Sequence, residues 1–441
     1  MPSPDAQSGT LNSAPTGACV RSERRVALHH AFAVFAGNGL EFYDFLTYSY
    51  FAVYIGRAFF PSADPTTSLL ASLATFGVGF LTRPIGAIVI GSMGDRIGRK
   101  PAMLFSFALM GVSIAGLALT PSYAAIGVAA PLLAVFFRLV QGFALGGEVG
   151  PATAFMAELA PPSRRGLHLS MQYVTQDASA LIAGLIGVVL AGTLTDNALQ
   201  DWGWRAALLI GVAIVPFGLT VRRTLPETLA KSDAAPRQSM RTGLNNHRRL
   251  IAIGFVLIAA PTVSYYCASY MTTYALTTLK LPATIAFGLT VVNGGCSLVS
   301  ELASGWLSDR FGRKPVMIVP CALLIAAIYP AFWIIAHFPN AFALYATESV
   351  LVILAATASV PAFIVVAEQL PASIRSGALA TTYAFAAAIF GGSAQFAIAL
   401  LIRVTGNPLV PGLYWGGAMI AALVAMVLVR DSAATKAEGR R

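Results

Sequence analysis

The chain has 441 residues and a formal net charge of +10, yet 56% of it is apolar and only 11% is charged. A soluble domain carries about 25% charged residues, so a water-soluble globular protein is excluded. Stretches that meet the requirement of about 20 apolar residues for crossing a bilayer recur along the whole length, which makes this an all-α, polytopic membrane protein.

The spans are read in chain order. Residues 1–27 are rich in Pro, Ser, Ala and Thr without an apolar core, and are expected to form a disordered tail and not a signal peptide. Six spans follow at 28–55, 69–93, 102–120, 126–157, 167–194 and 204–222. A polar, charged linker fills 223–248. Six more spans follow at 249–277, 283–307, 316–336, 341–369, 377–403 and 409–429, and a short tail at 431–441 ends the chain. The halves are thus 28–222 and 249–430.

Lys and Arg set the orientation. They crowd the tail (Arg21, Arg24, Arg25), the 2–3, 4–5, 8–9 and 10–11 loops, the linker and the C-terminus. Only Arg57, Arg205, Lys280 and Arg403 fall on the other side, and Arg83 and Arg138 lie within spans. By the positive-inside rule both termini are expected in the cytoplasm. The same distribution explains the basic pI without nucleic acid. Cys19, Cys267, Cys296 and Cys321 are scattered, with neither a disulfide framework nor a metal spacing. There is no G-x-x-x-x-G-K-[ST] phosphate loop, HExxH or nucleophile elbow. The expectation is therefore no ATP drive, no enzyme, no cofactor and no metal.

Ionisable residues within lipid cost from about 2.5 kcal/mol each, so they face a partner or an aqueous path. On span 1, Asn38, Glu41, Asp44, Phe45 and Tyr48 share one helix face. Glu41 and Asp44 are candidates to carry a proton, because crowded, buried carboxylates do not both ionise cheaply. A structural tie to Arg83 is the competing reading. Arg83 is followed by Pro84, which interrupts a helix ladder. It is either a ligand for substrate or a partner of the span 1 acids. Arg138 on span 4 is the leading candidate to grip a carboxylate, since its planar fork suits bidentate binding; Gln141 lies one turn on. Gln172, Gln176 and Asp177 form a polar patch on span 5, with Asp177 a further proton-coupling candidate. Glu148 and Glu301 are read as gate ties. Tyr266 and Tyr270 of span 7, with Tyr265 and Tyr274, are phenols for a carboxylate site or plain packing. Gly86, Gly91 and the Gly142–Gly147 run "GFALGG" permit close helix contact.

The chain repeats itself. "GSMGDRIGRKP" at 91–101 returns as "GWLSDRFGRKP" at 305–315, and "ELAPPSRRG" at 158–166 returns loosely as "EQLPASIRSG" at 368–377. An offset of about 210 residues makes Glu348 of span 10 the positional equivalent of Arg138. Opposite charges at equivalent positions suggest an ion pair between them. Parallel six-helix halves are an arrangement of alternating-access transporters.

The doubled Gly-x-x-x-Asp-Arg-x-Gly-Arg-Lys pattern resembles the signature of the major facilitator superfamily. The segments "GNGLEFYDFLTYSYFA", "FLTRPIGAIVIGSMGDRIGRK", "RLVQGFALGGEVG" and "DWGWRAALLIG" further resemble the metabolite–proton symporters, which include citrate, α-ketoglutarate and proline/betaine porters. The resemblance implies two six-helix halves related by a pseudo-two-fold axis, spans 4 and 10 lining a central cavity, and a monomer in the cytoplasmic membrane. It implies that Asp95, Arg96, Arg99, Asp309, Arg310 and Arg313 work a gate with Glu158, Arg165, Glu368 and Arg375. It also implies proton-coupled symport of a small organic acid, a di- or tricarboxylate such as citrate or α-ketoglutarate. Arg138, Arg83, Gln141, Gln172, Gln176, Tyr266 and Tyr270 are then the substrate ligands, and Glu41, Asp44, Glu348 and Asp177 the proton carriers. The alternatives are symport of a zwitterionic osmolyte such as proline or betaine, a drug exporter, and a non-transporting membrane sensor on the same scaffold.

Overall fold

A computed structural model describes residues 39, 42–97, 99–146, 164–223, 248–370 and 375–429. The expected tails, most of the linker, Glu41, Glu148 and Glu158 lie outside the described residues, as do the side chains of Asp95, Arg96, Arg99 and Arg375. Twelve rods follow one another. They are α1 (42–50, then Ala52–Phe59), α2 (Pro65–Leu81, then Arg83–Ile97), α3 (Arg99–Leu119), α4 (Ala129–Leu145), α5 (Arg165–Thr193) and α6 (Trp204–Arg223). The second half supplies α7 (Arg248–Thr277), α8 (Ala283–Phe311), α9 (Arg313–His337), α10 (Ala341–Gln369), α11 (Arg375–Ala386, then Gly392–Thr405) and α12 (Val410–Leu428). Among the described residues nine of these helices are long and apolar enough to cross a membrane, and α4 is a shorter apolar helix.

Local chemistry sets the ends. Asp64 caps α2 by accepting from the Thr66 and Thr67 amides at 3.0 and 3.2 Å, with Pro65 at the first helical position. Asn340 caps α10 through the Ala343 amide at 2.9 Å. Gly312, the glycine of the second DRxGRK copy, sits at φ 93°, a backbone state open to glycine alone, and lets α8 turn directly into α9. The "DWGWR" segment is structural: Trp204 is fully buried against Phe59, and Arg205 donates to the carbonyls of Ala118 and Thr120 at the end of α3.

Two interruptions shape the centre. Pro84 has no N–H for the carbonyl one turn back, and the ladder of α2 breaks at Thr82, whose hydroxyl donates instead to Leu139 O of α4 at 2.7 Å. In α11 the helix widens to a π-turn over Ala387–Gly391. Gly391 there lies against Tyr266 and Phe80, and Gly392 against Gly77 of α2.

Glycines bring the rods together. A Cβ on Gly142 would strike the carbonyl of Gly79, and one on Gly146 would strike that of Arg83, so α2 and α4 touch backbone to backbone. Gly86 meets Phe143 O in the same seam, but Gly91 has open space and makes no such approach. That expectation for Gly91 is corrected: a Cβ there would meet nothing within 4 Å. α5 and α8 run antiparallel, pressed from Gly166–Gly305 at the end bearing the DRxGRK loops (the motif side) to Gly187–Phe287 at the far side.

The two glycines give a matched test. Gly142→Ala should destabilise by about 1–3 kcal/mol through overpacking. Gly91→Ala should change stability by no more than about 0.5–1 kcal/mol, in the stabilising direction, because alanine is the better helix former. Thermal unfolding of the two purified variants measures the difference.

Candidate functional site

The site is built around the ring of Phe45 on α1. The Arg83 Cζ lies 4.5 Å from its centroid and the Arg138 Cζ 4.3 Å. Arg83 also stands 4.0 Å over Phe80, and Arg138 stands 4.4 Å over Tyr48 and 5.1 Å over Phe76. Both guanidiniums are buried, Arg138 completely. Arg138 donates from Nη1 to Gln141 Oε1 and from Nη2 to the Phe76 carbonyl at 3.5 Å; its Nε has no hydrogen-bond partner, nor do Nε and Nη2 of Arg83. Among the described residues neither makes an ion pair. Desolvated cation–π contacts of about 2 kcal/mol or more help hold such charges.

The described acids are not bonded to them. Asp44, one residue before Phe45, is 1% exposed and neither carboxylate oxygen is hydrogen-bonded, although Arg138 is close enough to act on it electrostatically. Glu348 of α10 is fully buried and likewise unbonded, with Asn293 of α8 and Cys267 of α7 as neighbours. The expected Arg138–Glu348 pair is therefore not formed in this state. The repeat makes the two positions equivalent, but each side chain points into its own half. Asp177 of α5 faces Glu301 of α8.

The other expected residues divide. Tyr266 of α7 packs edge-on to Phe76 and Phe80 and neighbours Arg83. Gln172 and Gln176 are buried on α5, Gln176 beside Tyr265. Tyr270 belongs to the apolar core of the second half, and Tyr274 donates to Pro408 O. Neither is drawn to the arginines. Phe76 and Phe80 were not anticipated, yet with Arg83 they follow i, i+4, i+7 spacing, which was legible as one face of span 2. Gln395 of α11 was also missed; it is fully buried and donates to Ser49 Oγ of α1 at 2.6 Å, a polar bond between the halves.

Polar contacts join the two halves at both ends. On the motif side Asp309 accepts from the Gly166 and Leu167 amides at 2.9 and 3.0 Å, capping α5 from α8. Buried Arg313 ties Asp309 and Glu368, each at 2.9 Å, and also Ser308. Arg310 is not part of this network. It is exposed and lies along Trp306 and Phe311. Arg165 opens α5 next to this cap without an ion pair among the described residues. On the far side Asp64 pairs with Arg403 of α11 at 3.0 Å, both about half exposed. The Thr67 hydroxyl, then the Thr66 amide, hold the Asp64 carboxyl below its usual range.

Three comparisons bear on this geometry. Residues 30–235 match a family model described as "Sugar (and other) transporter". The chain is 36% identical over 403 residues to the citrate-proton symporter of Klebsiella pneumoniae, covering 89% of each chain. It is 33% identical over 402 residues to the alpha-ketoglutarate permease of Escherichia coli (strain K12), covering 90% of this chain and 92% of that one. In fold it is similar to the xylose transporter XylE from E. coli in a partially occluded inward-open conformation, with a TM-score of 0.76, 17% identity and 92% of this chain covered against 99% of that one. The twelve rods in two halves, closed over buried charge, are those of a major facilitator superfamily transporter. Within that superfamily the chain belongs to the metabolite–proton symporter family.

The two closures differ in strength. Asp309→Ala leaves two α5 amides and part of Arg313 unbonded, which should weaken motif-side closure by about 1–3 kcal/mol, roughly a five- to hundredfold rise in opening. The labelling rate of a cysteine placed at Ser170 in a cysteine-free background reads it. Asp64→Asn keeps the helix cap and loses only an exposed pair, so the same labelling should barely change. Because the Asp64 carboxyl is held low, the far-side pair is present at neutral pH. It is lost only as pH falls below the ordinary aspartate value of about 3.9.

Proposed function

We propose that this chain carries a small organic acid, a di- or tricarboxylate, inward across the cytoplasmic membrane together with protons. The observation that carries the reading is the pair of buried guanidiniums on Phe45 with no ion-pair partner among the described residues. Buried charge without a counter-charge is costly, and a carboxylate ligand supplies two acceptor oxygens in the plane that guanidinium prefers. The names of the relatives, citrate and α-ketoglutarate carriers, support the same class.

In this reading Arg138 and Arg83 grip the carboxylates, with Gln141 and Tyr266 beside them. Asp44 carries a proton next to the anion site, so that protonation and substrate binding compensate one another electrostatically. The halves 28–222 and 249–430 rock about the site, and the motif-side network of Asp309, Arg313 and Glu368 holds the inner gate. The basic loops support cytoplasmic placement of the motif side and of both termini, and a monomer suffices for the cycle. The second reading, a zwitterionic osmolyte, is favoured by one feature: unbonded Asp44 beside the guanidiniums offers an ammonium its counter-charge.

Vesicles with an imposed pH gradient, offered labelled citrate, α-ketoglutarate or betaine, separate the two. Accumulation of a carboxylate that stops with a protonophore is the expected result; betaine alone would select the other. Arg138→Lys keeps the charge but loses the fork, so affinity should fall about ten- to a hundredfold. Arg138→Ala should abolish binding, and wild-type affinity in that purified variant would end the proposal. Asp44→Asn should keep substrate exchange while losing gradient-driven accumulation.

A further inference from the structure

The interface between α5 and α8 holds two carboxyls with no cationic group beside them among the described residues. Asp177 stands near the midpoint of α5 and Glu301 within α8. Each is 4% exposed and within side-chain hydrogen-bonding reach of the other, with Ser297 also at Asp177. Glu301 Oε2 has no hydrogen-bond partner. The ionisable groups that act on the pair are phenols: Tyr173 of α5, Tyr50 of α1 and Tyr265 of α7, with Tyr383 of α11 behind Tyr173. Among the described residues no Lys, Arg or His acts on either acid.

In this state the backbones are in close contact on both sides of the pair. On the far side of the pair Gly294 lies against Leu181, and on the motif side Gly305 lies against Gly166 and Leu167. Two carboxylates forced together in a dry interface would repel strongly, and the arrangement that satisfies both is one proton held between them.

We propose that Asp177 and Glu301 share a single proton in the closed state and that this bond latches the two halves together. This rests on the symport reading and adds a second proton site, separate from the arginine-lined pocket. The step balances simply. The O–H of one carboxyl donates to the carboxylate of the other, giving the pair a charge of −1. When the motif side opens and water enters, that proton passes to water, the pair becomes two carboxylates at −2, and their repulsion drives α5 from α8. Reclosure requires a proton to return. Proton release is thereby tied to the opening of the seam, and the latch closes at low pH and opens as pH rises.

Two readouts test this without any substrate. The first is infrared titration of the purified protein. Wild type should show a protonated-carboxyl band that disappears as pH rises, and Asp177→Asn and Glu301→Gln should each remove that component. The second is the distance between spin labels at Arg164→Cys and Phe311→Cys, at the motif-side ends of α5 and α8, in a chain whose native cysteines are replaced. In wild type the long-distance population should grow with pH. In Asp177→Asn the amide donates permanently to Glu301, so the distance should stay short at every pH. Glu301→Gln, nearly isosteric, repeats the test should the first variant fold poorly. A band and a pH-dependent distance unchanged in both pair variants would overturn the proposal. If wild type transports none of the carboxylates offered, the symport reading fails, while the infrared and distance results still decide on the latch.

Discussion

The burial of charge in a medium that cannot solvate it is the constraint on which the rest depends. Arg83 and Arg138 are enclosed by aromatic faces and lack a salt-bridge partner among the described residues. Such a centre is tolerable only if the surrounding helices are held rigidly and if something negative enters. The first condition accounts for the glycine-lined contact of α2 with α4, which sets backbone against backbone beside both arginines. In the proposed reading the second gives the centre its function.

Closure is achieved by different chemistry at the two ends. The motif side uses buried, multiply bonded charge: a carboxylate capping a helix and an arginine shared between two acids. The far side uses one exposed ion pair, worth little in water, together with aromatic packing of Phe51 and Tyr54 against Phe287. In the proposed cycle, water entering at the motif side weakens this network at once, as in a switch with two discrete states rather than a gradually yielding hinge.

The kinship with metabolite–proton symporters and the fold shared with a xylose transporter agree on the scaffold but not on cargo. A scaffold this widely shared does not specify its substrate; the site grafted on it does. Here the grafted element is cationic and aromatic, and the polar bond from Gln395 to Ser49 joins the halves close to it.

The sequence by itself determined the helices and their order. The expected limits 341–369 for span 10 match the helix, and most other described limits fall within a few residues, although α4 ends at Leu145 where 157 was expected; apolar run length and proline, glycine and aspartate at the ends are local properties. It also determined that Arg83, Arg138, Asp44 and Glu348 must be buried, since each stands in a greasy run. Which of them meet was decided by the tertiary structure alone. The repeat put Arg138 and Glu348 at equivalent positions, but symmetry relates positions without bringing side chains together, and each side chain turned into its own half. Asp177 and Glu301, far apart in sequence, meet because the antiparallel register of α5 on α8 is set by where glycines allow contact. The break at Thr82 and the π-turn at Ala387–Gly391 likewise answer to neighbours, α4 in one case and Tyr266 with Phe80 in the other. A side chain's partner depends on the rotation and depth of two helices at once, and no single span carries that information.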